Sequence, residues 1–107
     1  MSEKSQRALS VFRNPYSCAQ AVAFAFKDLS ENELAIYKSN SGGKAPDGIC
    51  GALFAALANT QSGNHRKVIE EFVKQTGAMH CSDIKQIYKT PCSKCVVAAT
   101  EIAEQNS

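Results

Sequence analysis

Two segments of this chain are apolar on every side, and they constrain what it can fold into. From Cys18 to Phe26 the only polar residue is Gln20, and from Ile49 to Ala58 there is none. Each runs for about ten residues, half of the roughly 20 needed to span a bilayer. Both are therefore expected to be helices buried at the centre of a globule. A chain of 107 residues has room for one domain around them.

The remaining segments supply the wrapping. Ala8, Leu9, Val11 and Phe12 give a short amphipathic helix over about Glu3 to Arg13. Asn14-Pro15 predicts the cap and first position of the helix that follows, which runs to about Lys27. Ser30-Glu31-Asn32-Glu33 is a capping box that opens a short helix through Leu34 and Tyr37. The stretch 39–46, with Gly42 and Gly43, is a loop, after which Asp47 is expected to cap the second apolar helix. Turn residues follow at 60–64. Val68, Ile69, Phe72 and Val73 then repeat at helical spacing opposite Arg66, Lys67, Glu70, Glu71 and Lys74, and Gly77 closes that helix. A turn of helix is expected over Ser82 to Tyr88. Thr90-Pro91 opens a last helix to about Glu104. The fold class is all-α, a single domain over 1–107 with two buried central helices surrounded by amphipathic ones.

Composition narrows the function classes. Hydrophobic residues make up 44% and charged residues 21%, which is globular rather than disordered. The net charge is +2 and the basic residues are scattered without interleaved aromatics, so nucleic acid is not an expected partner. The N-terminal residues lead into no apolar signal segment, and no membrane partner is expected; a cytoplasmic location follows as the expectation. Gly42-Gly43-Lys44 lacks the further glycine and the hydroxyl residue of a phosphate-binding loop.

The chemistry lies in five cysteines: Cys18, Cys50, Cys81, Cys92 and Cys95. In a reducing compartment this density points to thiol chemistry or metal binding. Each cysteine falls at or near an expected helix start, where unpaired N–H groups and the helix dipole favour the thiolate that attacks and ligates. Cys92-Ser93-Lys94-Cys95 is a CxxC with two readings. Cys92 can attack and Cys95 resolve in a reversible disulfide, or the two sulfurs can chelate a metal together with Cys81 or Cys50. Zinc takes four tetrahedral ligands and an iron–sulfur cluster usually four thiolates. No compact ligand spacing is present, so tertiary folding would have to assemble such a site. His80, beside Cys81, is a candidate ligand or proton acceptor; His65 is expected on the surface.

Tyr16-Ser17-Cys18-Ala19-Gln20-Ala21-Val22, Cys50-Gly51-Ala52-Leu53-Phe54-Ala55, and then Cys81 and Cys92, together resemble the family of redox-active proteins named C-GCAxxG-C-C. The resemblance runs from about Ala8 to Glu101. It implies that Cys18, Cys50, Cys81 and Cys92 are the redox-active, cofactor-binding or metal-binding set, with an iron–sulfur cluster as the implied cofactor. Ala55 stands where the family motif has its last glycine. Cys95 is an addition, since placing Cys92 at the family position brings Val96, Ala99 and Glu101 into register with the usual final helix. A redox partner protein is expected, with a homodimer as one assembly. Two other readings stand beside this one. The first is a structural zinc module using Cys81, Cys92, Cys95 and His80; the second is a helical interaction domain with inert, buried cysteines. A conventional cysteine nucleophile would need a partnered base, and His80 is the one candidate.

Overall fold

The computed structural model describes residues 1–106. Seven α-helices make up the fold among the described residues: α1 (Glu3–Val11), α2 (Cys18–Phe26), α3 (Glu31–Ser39), α4 (Gly51–Ala58), α5 (His65–Thr76), α6 (Cys81–Asp83) and α7 (Cys92–Gln105). Short 3-10 turns at Pro46–Gly48 and Ser62–Asn64 precede α4 and α5, and a π-turn at Ile84–Tyr88 continues α6. Two isolated bridges, Phe12 to Tyr16 and Ile49 to His80, are the only β pairing among the described residues. The protein is all-α.

The two apolar segments form the centre. Ala19, Ala21, Val22 and Ala23 of α2 and Ala52, Leu53, Ala55 and Ala56 of α4 are fully buried. Their alanines let α2 and α4 pack closely, because interaxial distance is set by the side chains at the contact. The last helix is as central as these two. α7 packs on α1, α2, α4 and α5, burying Val96, Ala99, Ile102 and Ala103. Its polar Thr100 is buried at no desolvation penalty, since its hydroxyl donates to the Val96 carbonyl one turn back at 2.8 Å. α5 contributes Val68 and Phe72, both fully buried, on the expected face. Gly77 ends it at φ 104°, as its sequence position indicates. Glu101 ties the N-terminus down, accepting hydrogen bonds from the Ser5 hydroxyl at 2.9 Å and the Ser2 amide at 3.1 Å. No described helix is long and apolar enough to cross a membrane.

Three helix starts differ from the sequence expectation, and each difference has a local cause. Asn14-Pro15 does not cap α2. It lies in a tight turn closed by hydrogen bonds from the Asn14 and Tyr16 amides to the Val11 carbonyl. The cap is Ser17: its hydroxyl accepts from the Gln20 amide at 3.4 Å, and the Gln20 side chain accepts from the Ser17 amide at 2.9 Å. This is a capping box with glutamine in the second role. It wins because one buried side chain also donates from Nε2 to the Leu34 carbonyl at 2.8 Å, joining α2 to α3. Gln20→Ala is expected to cost about 1 kcal/mol, from a lost cap and a carbonyl left unpaired. A chemical-denaturation midpoint equal to that of the unaltered protein would count against this role.

The second difference is Asp47, which turns at φ 62° inside the 3-10 segment and leaves Cys50 as the N-cap of α4, without a side-chain cap. The Cys50 amide instead donates to the Met79 carbonyl at 2.8 Å, stitching α4 to the segment before α6. At the third, Thr90 lies just outside α7 and donates its hydroxyl to the Thr76 carbonyl at 2.8 Å. Pro91 is then the N-cap, again with no side-chain cap.

Candidate functional site

All five cysteines belong to helix starts. Cys18, Cys81 and Cys92 are the first residues of α2, α6 and α7, Cys50 is the N-cap of α4, and Cys95 stands one turn into α7. Because α4 contacts both α2 and α7, these starts are brought to one end of the bundle. The sulfurs there lie within electrostatic reach of one another. Cys95 experiences the charges of Cys92, Cys18 and Cys81, and Cys81 those of Cys50 and Cys92. All five are free thiols.

Within this group the closest association is Cys50 with Cys95, both buried. Cys50 donates its proton toward Cys95. That hydrogen bond holds the Cys95 thiol below its ordinary range, outweighing burial and the neighbouring thiols. The same bond to Cys95, followed by burial, pushes the Cys50 thiol well above its ordinary range, against the pull of the Leu53 and Ala52 amides. Cys50 is thus the donor of the pair and Cys95 the acceptor. Cys95, the outlier of the family pattern, is a central member of the group.

Cys18 and Cys92 are half-buried and line one cleft of about 360 Å³, together with Arg13, Ser17, Lys38 and Lys44. Cys81 opens on a second cleft of about 370 Å³ across the Gly42–Gly43 loop, beside Lys85. Burial pushes the Cys81 thiol up, while Lys85 pulls it down by charge and hydrogen bond. Lys85 itself is held above the usual lysine range by Cys81 first and then Cys92. A third hollow of about 400 Å³, between α1 and the end of α2, is lined by mixed charges and contains no thiol.

Two glycines make the approach of these elements possible. A Cβ on Gly51 would stand 2.8 Å from the Cys18 sulfur, 2.8 Å from the Ser41 Cα and 3.0 Å from the Asn40 carbonyl oxygen. The glycine of the Cys50-Gly51-Ala52 motif is thus where α2 and the 40–48 loop meet the start of α4. Gly43, at φ 86°, carries the loop past Cys81 at van der Waals distance from its Cβ. The Ser17 and Ser41 hydroxyls, hydrogen-bonded at 2.8 Å, fix the loop to the cap of α2. Ala55 is fully buried within α4 and does not touch the thiol clefts.

The histidines have other partners. His80 is the N-cap of α6 and faces Asp83 at 3.8 Å, with its side chain well exposed. His65 Nε2 lies 3.4 Å from the Thr60 carbonyl oxygen. Among the described residues neither histidine is hydrogen-bonded to a cysteine. Among the described residues no three His, Cys, Asp or Glu side chains come together as a set that would hold a metal ion. A cluster or tetrahedral zinc needs several thiolates on one point. Among the described residues the thiols are not drawn together onto one such point. Comparison with known protein families, curated proteins and solved structures finds no match to the chain.

Proposed function

We propose that the protein is a thiol–disulfide redox protein in which Cys92 attacks and Cys95 resolves. The observation that carries this reading is the buried Cys95 sulfur, hydrogen-bonded by Cys50 and one turn behind the half-buried Cys92. Three residues along an α-helix separate Cα atoms by about 5 Å. That lies within the roughly 4.4–6.8 Å that a disulfide tolerates.

The electron balance is that of thiol–disulfide exchange. The Cys92 thiolate attacks one sulfur of a substrate disulfide, the substrate S–S bond breaks, and the first substrate thiolate leaves and takes a proton from water. The Cys95 thiolate, favoured by the Cys50 hydrogen bond, then attacks the Cys92 sulfur and expels the second substrate thiolate. The protein gives up two electrons and two protons as the Cys92–Cys95 bond forms, and the substrate gains both as two thiols. The reverse reaction oxidises a dithiol. Cys50 is the proton partner of Cys95, and Cys18 and Cys81 flank the exchange. The resemblance to the C-GCAxxG-C-C family supports a redox role for the same group of cysteines.

The test is peptide mapping by mass spectrometry after the reduced protein is treated with a small disulfide. The expected product is an intramolecular Cys92–Cys95 link, reversed by dithiothreitol. Cys95→Ser is expected to stop the reaction at a mixed disulfide on Cys92, and Cys92→Ser to block it. A link between other cysteines, or no change in mass, would overturn the assignment. So would anaerobically purified protein that carries stoichiometric iron with visible absorption, or one zinc per chain, which would restore the metal-centred reading.

A further inference from the structure

The cleft in front of Cys92 has one sign of charge. Its lining includes Arg13, Lys38 and Lys44 and no aspartate or glutamate. Three cations elsewhere pair with carboxylates, Arg7 with Asp28, Lys27 with Glu33 and Arg66 with Glu70, and what sets Arg13, Lys38 and Lys44 apart is that they converge on one cleft with two thiols. Among the described residues Arg13, Lys38 and Lys44 make no such pair, so three cations face the cleft uncompensated. The Arg13 guanidinium lies over the Phe12 ring, 5.0 Å from its centroid.

Arg13 adds an independent indication. Its backbone lies at φ 63°, in the left-handed region, within the turn where its amide donates to the Tyr16 carbonyl at 2.6 Å. Glycine or asparagine holds that conformation at lower cost than arginine. Lys89 shares that backbone region outside the cleft, whereas at Arg13 the turn sets the long cationic side chain on the cleft's rim.

Size separates the remaining options. At about 360 Å³ the cleft is at the lower end of the range of small-molecule sites. The two thiols it exposes, Cys18 and Cys92, lie beside the cations in the same cleft.

Resting on the proposed exchange at Cys92, we infer that the substrate is a low-molecular-weight disulfide bearing carboxylates, held by Arg13, Lys38 and Lys44 while Cys92 attacks its sulfur. The reaction is the exchange written above, with this disulfide as the electron acceptor and its two carboxylate-bearing thiols as products. The three cations touch the substrate's charged ends and take no part in bond exchange.

The test compares oxidation of the full-length reduced protein by three disulfides of different charge: anionic glutathione disulfide, neutral bis(2-hydroxyethyl) disulfide and cationic cystamine. Each is followed by acid quench and mass spectrometry. The double variant Arg13→Asn/Lys44→Gln is run alongside, asparagine being chosen because it tolerates φ above zero. Intrinsic differences in disulfide reactivity cancel in the ratio of unaltered protein to variant for each reagent. The expected result is a roughly 10-fold or greater loss with glutathione disulfide, no loss with the neutral reagent, and a gain with cystamine. Added salt is expected to narrow these differences.

Equal ratios for all three reagents would overturn the inference while leaving exchange at Cys92 standing. A loss as large with the neutral reagent as with the anionic one would do the same, since the cations would then be supporting the Cys92 thiolate or the site's structure. If no reagent forms the Cys92–Cys95 link, the redox reading itself fails and the inference falls with it.

Discussion

Gly51→Ala is expected to destabilise the protein by about 1–3 kcal/mol, the range for overpacking a close-packed site. Helix propensity opposes this loss, because alanine is favoured over glycine by up to about 1 kcal/mol inside a helix and by less at its first position. The steric cost dominates because two of the three atoms that a Cβ meets are backbone, the Ser41 Cα at 2.8 Å and the Asn40 carbonyl oxygen at 3.0 Å. Neither can rotate away as the end of a side chain can. The third is the Cys18 sulfur, also at 2.8 Å. The new methyl therefore pushes apart the start of α2, the 40–48 loop and the start of α4, the elements that frame the thiol group. Two readouts are expected to move together: the denaturation midpoint falls, and the rate at which Cys18 is alkylated in native protein changes. Gly51→Val enlarges both effects. A midpoint equal to or above that of the unaltered protein, with the same Cys18 alkylation, would show that the loop yields without cost.

Gly51 also marks how far the sequence reaches. The two apolar helices, the amphipathic α5 and its Gly77 stop are legible because each is written in residues that are neighbours along the chain. The Ser30 capping box is legible for the same reason. The Ser17–Gln20 box has the same form but was hidden by Asn14-Pro15, a stronger-looking start whose residues are taken up by the turn back to Val11. The position of the cysteines at helix starts is a local property and could be read directly. Which cysteine faces which could not, because it depends on α7 lying against both α2 and α4. The family pattern sets Cys95 aside, yet in the fold it is the partner of Cys50. Lys85 carries a local signal that reading by cysteine position passes over: it stands four residues after Cys81, one turn on, where α6 passes into the π-turn. The cations of the cleft come from the turn after α1, from α3 and from the loop beyond it, and their scatter along the chain conceals that they gather in space.

The hydrogen bond from Cys50 to Cys95 makes fold stability depend on pH in both directions around the ordinary thiol range, near about pH 8.5. In the unfolded chain both thiols titrate there. In the folded protein Cys95 is lowered, so below that range it has released its proton while its unfolded counterpart still holds one. The unfolded state then binds more protons, and stability rises with pH. Cys50 is raised, so above that range the folded protein keeps a proton that the unfolded chain has lost, and stability falls with pH. Each retained proton gives a slope of about 1.4 kcal/mol per pH unit. Cys81, raised by burial, acts with the sign of Cys50 and steepens the alkaline side, and Lys85, raised by its thiol neighbours, adds to it only above the ordinary lysine range of about 10.4. Denaturation of the reduced protein across this range is therefore expected to trace a maximum, falling by about 2 kcal/mol or more by roughly pH 10. Cys50→Ala removes the largest retained proton and takes the donor from Cys95. Its alkaline limb should be shallower, with Cys81 supplying what remains, and its acid limb should flatten. Cys95→Ala removes the acceptor, so the Cys50 thiol returns toward its ordinary range apart from burial, and both limbs change together. Identical alkaline slopes in the unaltered protein and Cys50→Ala would mean that Cys50 is not the donor to Cys95. Cys95 would then lose the thiolate character on which its attack on Cys92 depends.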